Sequence, residues 1–335
     1  MKIVVDAFGG DNSPLSVIEG CVLAIKEYSD VEICLSGSQE ILKQVAYKNC
    51  LDISKFEIYN ADNIIEVEED PSEICRSKAL SSMAVGLKAL QDGKVDAFVS
   101  AGSTGALVVG SSALIGRISG IKRAVLAPIL PSNIGCFMLL DAGANLKCRP
   151  EMFVQFAVMG SIYAKRVLGL SHPRVGLANV GVEASKGTED HKQGYKMLSS
   201  CKCINFIGNV EARDVFLGAC DVLVCDGLSG NMILKTAEGT CKLLVSALKD
   251  MLLSSIESKL AAFLLKNQIK KLKNRLDYTE YGGAMLLGIS KPIIKAHGSS
   301  NANAFKNAIK QARMCVEQKI VDEISKNITE LIGDE

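Results

Sequence analysis

Short apolar runs recur along the chain, most followed at once by a glycine-bearing polar stretch and then by apolar residues at helical spacing. Residues 2–6 (KIVVD), 31–35, 56–59, 95–101 (VDAFVSA), 124–130, 137–140, 174–180, 204–207, 220–225 (CDVLVC) and 293–296 read as strands. The continuous runs among them have the pattern of strands buried on both faces. Helices are predicted over residues 15–28, 39–48, up to Gly93, over 150–168, in a long segment that carries Lys235, and at the C-terminal end after 297–301. This alternation predicts an α/β fold with a mainly parallel sheet covered on both sides. Residues 124–130 and 137–140, separated by PSNIG, read as a hairpin extending the sheet, while 62–71 and 278–283 read as loops.

The strand ends carry the candidate chemistry. In residues 95–107 a buried strand runs through Ser-Ala-Gly-Ser-Thr-Gly straight into an apolar helix. Gly102 and Gly105 let backbone approach a ligand, the free N–H groups and dipole of a helix start favour negative charge, and Ser103 and Thr104 add hydroxyls. Alone, Ser103 reads as an N-cap and the glycines as a turn. Repetition shifts the balance: Asp226-Gly-Leu-Ser229-Gly230-Asn231 follows CDVLVC in the same way, ahead of Lys235. Gly10 and Asp11 end the first strand, Asn145 closes DAGAN, and Asn209 sits in GNVEARD. Lys186, in a glycine-bounded loop, is either a phosphate-facing cation or a surface lysine. Arg76 and Lys78, beside Ser81 and Ser82, fit a phosphate contact and a solvated helix start equally well. His297 and Ser299 open the last helix, where a histidine is a candidate for proton transfer. Neither main loop has the GxGxxG of dinucleotide folds or the GxxxxGK[ST] of nucleotide-triphosphate loops, so cofactors of those kinds lose support.

Composition narrows the classes. A chain of 335 residues that is 48% hydrophobic can bury a large core, and a net charge of +1 without tryptophan offers neither the field nor the stacking platforms of a nucleic-acid binder. Twelve cysteines are scattered without zinc-ligand spacing, Cys201-x-Cys203 being the one close pair. With no signal peptide at Met1 and no apolar run long enough to span a bilayer, the expectation is a protein of a reducing cytoplasm with buried free thiols. From residue 249 to 276 the pattern changes. Apolar residues 260–265, then Ile269, Leu272 and Leu276, are interleaved with Lys266, Lys270, Lys271, Lys273 and Arg275. A basic amphipathic helix of this kind suits an anionic membrane surface, though many such helices pack on a core or a partner subunit.

Taken together, KIVVDAFGGDNSP, SAGSTGA, DAGAN, VQFAVMGS, NFIGNVEARD, VCDGLSGN, DYTEYGGA and KAHGSS make the chain resemble the bacterial acyl-carrier-protein:phosphate acyltransferase family over essentially its whole length. It departs at Ser103, where the family usually has Asn, near Leu80, where it has Asp, and at Ala212, where it has Gly.

The resemblance implies a three-layer α/β/α fold with two subdomains around a cleft, similar to phosphotransacetylase and the isocitrate dehydrogenase-like group. The expected division is residues 1–130 with 301–335, and 131–300 including the basic segment 249–276. It further implies transfer of a fatty acyl group from acyl carrier protein to inorganic phosphate for phospholipid synthesis, a homodimer, and no metal or organic cofactor. Location is expected in the cytoplasm, peripherally on the inner face of the membrane, against anionic lipid or a membrane glycerol-phosphate acyltransferase. Such chemistry needs an anion held, aimed at a carbonyl, and an oxyanion stabilised. We therefore expect Ser103, Thr104, Gly105, Ser229, Gly230 and Asn231 to contact phosphate or oxyanion, Lys186 or Arg76 to supply charge, and Asp226 or His297 to move the proton. The competing readings are a phosphate acetyl- or butyryltransferase using coenzyme A, and a non-catalytic membrane-attached scaffold.

Overall fold

The computed structural model describes residues 1–276 and 282–333. Strands β1 (Lys2–Asp6), β2 (Glu32–Gly37), β3 (Glu57–Asn60), β4 (Ala97–Ser100) and β5 (Val125–Ala127) precede β6 (Ile129–Ser132), β7 (Gly135–Leu140), β8 (Arg174–Ala178), β9 (Asn205–Val210) and β10 (Val222–Val224). Two more, β11 (Ala284–Leu287) and β12 (Ile293–Lys295), lie near the C-terminal end. They form a seven-stranded sheet in the order β3-β2-β1-β4-β12-β11-β5 and a five-stranded sheet in the order β6-β7-β10-β8-β9. β3, β2, β1, β4 and β12 are parallel, as are β7, β10, β8 and β9. The mainly parallel α/β architecture is the one the pattern implies.

Period-two alternation explains the layers. Ile3 and Val5 face the core shared with α1 (Leu15–Glu27) and α11 (Ala302–Glu317), whereas Val4 faces the cluster of α3 (Ser82–Gln91) and α4 (Thr104–Gly110). In the smaller sheet, Val222 and Val224 pack toward α5 (Pro150–Arg166), and Leu223 faces the start of α8 (Gly227–Leu253). The first of these cores is continuous across both sheets and is closed by Ile320, Ile324 and Ile328 of α12 (Ile320–Gly333).

Four features differ from the pattern reading. The run 124–130 is two strands, because Pro128 has no N–H for a ladder: β5 pairs with β11 in the large sheet, and β6 pairs with β7 in the small one. β11 and β12 lie within the stretch assigned to the second subdomain yet hydrogen-bond in the first sheet, so the chain returns to that sheet before residue 300. The segment 249–276 is the end of α8 followed by α9 (Ile256–Leu264) and α10 (Lys266–Leu276), because Ser255 caps a new helix with its hydroxyl on the Ser258 N–H. Finally, six of the twelve cysteines are buried, while Cys50, Cys75 and Cys203 are exposed. Most of the expected loop 278–283 lies outside the described residues.

Candidate active site

Parallel strands collect their following loops at one edge, which is where open α/β sheets bind ligands. In the large sheet the neighbouring strands β1, β4 and β12 end at Asp6, Ser100 and Lys295. Asp6 is 1% exposed and accepts from the Ser100 hydroxyl at 2.7 Å and the Phe8 N–H at 3.2 Å; burial dominates and raises its pKa. Lys295 is 9% exposed and donates to the Ala101 carbonyl at 3.1 Å and to the Ala296 carbonyl. Those two bonds occupy two of the three N–H groups of the ammonium and leave one for a ligand. Burial pushes its pKa down to about 8; the charge of Lys235 acts in the same sense, and Asp6 and Asp11 act against it. The loops interlock around this lysine: the Asp11 N–H donates to the Gly298 carbonyl at 2.8 Å, and Gly10, with φ +101°, lies so close that a Cβ would stand 2.8 Å from the same oxygen.

The small sheet supplies the opposite wall. Asp141, at the end of β7, is fully buried and accepts five bonds, from the N–H groups of Leu126, Gly143, Ala144 and Asn145 and from the Asn145 side-chain amide. Asn145 also donates to the Ala124 carbonyl at 2.7 Å, and its own carbonyl accepts from Gly227 at 2.7 Å. DAGAN is therefore a buried polar knot that ties β7 to β5 and to the first turn of α8. A Cβ at Gly230 would land on the Asp141 carbonyl oxygen, so only glycine lets α8 start there. Asp226 caps α8, accepting the Ser229 N–H at 2.8 Å and its hydroxyl at 2.9 Å. Successive turns of the helix then bring Asn231, Leu234, Lys235 and Glu238 onto one face.

Both sheet edges open on one cavity of about 470 Å³. Asp11, Ser103, Thr104, Asn231, Lys235, Glu238, Lys295 and His297 line it on the polar side, and Leu126, Ile129, Leu130, Leu146, Leu228 and Leu234 on the apolar side. Across it, the Glu238 carboxylate, 6% exposed, accepts from Lys235 at 2.9 Å and lies 3.6 Å from His297 Nε2. Burial opposes ionisation of Glu238, but His297 and Lys235 outweigh it and hold its pKa below the usual range. The Ser299 N–H donates to His297 Nδ1 at 3.1 Å, which assigns the ring proton of the neutral imidazole to Nε2, the nitrogen facing Glu238.

Of the residues singled out from the sequence, Asp11, Ser103, Thr104, Asn231, Lys235 and His297 meet in this cavity. Gly10 and Ser299 support its walls, and Gly105 packs its α-carbon against Pro71. Ser229, Gly230, Asp226 and Asn145 build the start of α8. Lys78 pairs with Glu69 at 2.9 Å and with the Ile64 carbonyl at 2.9 Å, and Arg76 is exposed outside the lining. Lys186 is exposed in the loop after β8, and Asn209 donates to the Glu183 carbonyl at 2.8 Å; neither lines the cavity. The sequence pattern alone does not single out Asp6, Glu238 or Lys295. Their signal was faint: a charge ending the run Ile293-Ile294-Lys295, and an i,i+3 pair, Lys235 and Glu238, on a long helix.

The family model described as fatty acid synthesis protein matches residues 1–323. The chain is 47% identical over 332 residues to a protein named phosphate acyltransferase from Clostridium botulinum (strain Loch Maree / Type A3), covering 99% of each. It is equally 47% identical over 335 residues to a phosphate acyltransferase from Caldanaerobacter subterraneus subsp. tengcongensis, covering 100% of this chain and 99% of that one. Among solved structures it is similar in fold to a phosphotransacetylase from Streptococcus pyogenes, with a TM-score of 0.62, 15% identity and coverage of 95% and 94%. A phosphotransacetylase from Staphylococcus aureus gives a TM-score of 0.60 at 16% identity, covering 94% of each chain.

Proposed function

The chain belongs to the fatty acid synthesis protein family, whose curated relatives are phosphate acyltransferases, and from that premise we propose that the cavity between its two sheet edges transfers an acyl group to inorganic phosphate. The observation that carries the site assignment is the convergence of Lys295, Lys235 and His297 on one pocket that also has an apolar wall. Phosphate is itself a nucleophile, so no covalent enzyme intermediate is required. In this reading Lys295 and Lys235, with the Ser103–Thr104 helix start, hold the anion, and the apolar wall receives the acyl end of a thioester. A phosphate oxygen bonds to the thioester carbonyl carbon, and the carbonyl electron pair moves onto oxygen, where Asn231 and backbone N–H groups stabilise it. Collapse breaks the carbon–sulfur bond. The proton that the attacking phosphate loses passes through His297, which Glu238 orients, to the leaving thiolate. We assign the proton to His297 rather than Asp226, because both Asp226 oxygens already serve the first turn of α8.

The donor in this proposal is the thioester of acyl carrier protein. Arg117, Lys122, Arg123, Lys147 and Arg149, with Glu151 as the one carboxylate in the lining, surround a concavity of about 440 Å³, and among the described residues none of the five cations is ion-paired. Lys147 directly follows Leu146 of the cavity wall, so this basic surface suits an acidic carrier domain that delivers its thioester there. The homodimer and the peripheral membrane contact belong to the same proposal. No helix of the described residues is long and apolar enough to cross a membrane. Ile256, Leu260, Phe263 and Leu264 of α9 are 83%, 62%, 74% and 71% exposed, next to Lys259, Lys266, Lys270 and Lys271. That combination suits insertion into an anionic lipid surface, while the apolar side of α8 around Leu244 and Leu248 suits a second copy.

The test is phosphate-dependent consumption of acyl-carrier-protein thioesters beside the matching coenzyme A thioesters. The expected result is acyl phosphate from the carrier-bound donor, weakened by Lys147→Glu/Arg149→Glu through the KM for the carrier. Preference for coenzyme A would overturn the donor assignment, and no acyl phosphate from either would overturn the reaction.

A further inference from the structure

Away from the cavity, at the opposite edge of the small sheet, lies a group of residues that the acyl transfer does not use. Cys201 follows α6 (Glu189–Ser200), Cys203 stands just before β9, and His172 and Pro173 stand just before β8. The two sulfurs are 3.1 Å apart. A disulfide needs about 2.05 Å, a movement well within side-chain rotation. Beside Cys203 is a pocket of about 210 Å³ lined by Ser161, Lys165, His172, Lys202 and Asn205, with no carboxylate in its lining. Ser161 is 3% exposed, and its hydroxyl has no hydrogen-bond partner among the described residues, so the pocket contains a buried polar group that nothing in the fold satisfies.

We propose that Cys201 and Cys203 form a reversible dithiol–disulfide site that reacts with small anionic disulfides, the anionic arm resting in the pocket of Lys165 and Lys202. The exchange balances as follows. The Cys201 thiolate attacks one sulfur of the incoming disulfide, a new protein–ligand disulfide forms, and the other half leaves as a thiolate. Cys203 loses its proton to water and attacks the Cys201 sulfur. The intramolecular disulfide closes and the second half leaves, so two electrons pass to the reagent and two small thiols are released. Sharing a hydrogen bond with Cys203 draws the Cys201 thiol down to about 6 and pushes its partner up, so a thiolate is present at neutral pH. The positive charge of Lys165 favours loss of the Cys203 proton, which the second step requires.

Reduced full-length protein, freed of reductant, is incubated with oxidised glutathione (anionic) or cystamine (cationic), and intact and peptide masses are followed. The expected product with oxidised glutathione is an internal Cys201–Cys203 disulfide without retained adduct, formed about threefold faster than adducts at the exposed Cys50 and Cys75, and reversed by dithiothreitol. Cys203→Ser is expected to stop at a stable mixed disulfide on Cys201. Lys165→Glu/Lys202→Glu is expected to slow the glutathione reaction and to leave the cystamine reaction unchanged or faster. Adducts on Cys50 and Cys75 with Cys201 and Cys203 still reduced would overturn the site. Equal effects of the charge reversal on both reagents would overturn its anion preference.

Discussion

His297 Nε2 stands 3.6 Å from the Glu238 carboxylate, and the two residues come from different sheets: His297 follows β12 of the large sheet, Glu238 lies three turns into α8, which follows β10 of the small one. A carboxylate only 6% exposed is expensive to leave without partners, so the contact fixes both the imidazole and the approach of the two walls.

Glu238→Gln keeps the shape and removes the charge. It is expected to lower kcat by about 10–100-fold with little change in the KM for phosphate. His297→Ala is expected to lose at least as much, and the double variant no more than His297→Ala alone, because the two act as one unit. Steady-state kinetics of the four proteins decide it, and multiplied losses would show that they act separately.

Asp141 makes a different kind of claim. Its five donors would be left partly unsatisfied in Asp141→Ala, at a cost of about 2–4 kcal/mol. Asn145→Ala should likewise lower the urea midpoint while the KM for phosphate stays within about twofold. A large rise in that KM with unchanged stability would return Asn145 to the phosphate.

How far the sequence reaches is visible in these residues. The loops SAGSTG and DGLSGN were legible because glycine, an N-cap and a helix start are local features, and local features survive without knowledge of the fold. Strand order is not local. Lys186 follows β8 and Asn209 lies near the end of β9, strands that stand beyond β10 in the order β7-β10-β8-β9, so these strand ends look like the others and yet lie outside the lining. Burial of charge is not local either. Lys295 reads as a solvated strand end until Gly10, Ala101 and Gly298 close over it, and Glu238 reads as a surface partner of Lys235 until His297 arrives from the other sheet.

The α9 tip tests the membrane contact. Leu260→Glu/Leu264→Glu replaces two side chains that are 62% and 71% exposed, so stability should hardly change. Flotation with anionic phospholipid vesicles is expected to weaken by at least about tenfold, since each leucine contributes roughly 1–2 kcal/mol when buried in the interface. Turnover with soluble substrates should remain at the parent level. Undiminished flotation would place the lipid contact elsewhere.

Lys295 gives the pH dependence. Its pKa of about 8 lies below the ordinary lysine value of 10.5, so the anion-holding cation is present below pH 8 and is lost as pH rises through it. The kcat/KM for phosphate should therefore fall on the alkaline side with a midpoint near 8. Lys295→Arg keeps a cation to far higher pH and should remove that limb, and Lys295→Met should raise the KM for phosphate by about tenfold or more at every pH. Stability moves the other way. Between pH 8 and 10.5 the unfolded chain binds the lysine proton and the folded one has released it, so the wild-type urea midpoint gains a rising contribution over that interval. The Lys295→Met protein has no such group, and the difference between the two midpoint curves should shrink as pH rises from 8 to 10.5. Parallel curves would mean that Lys295 is not held in the strained, buried state on which its affinity for the anion depends.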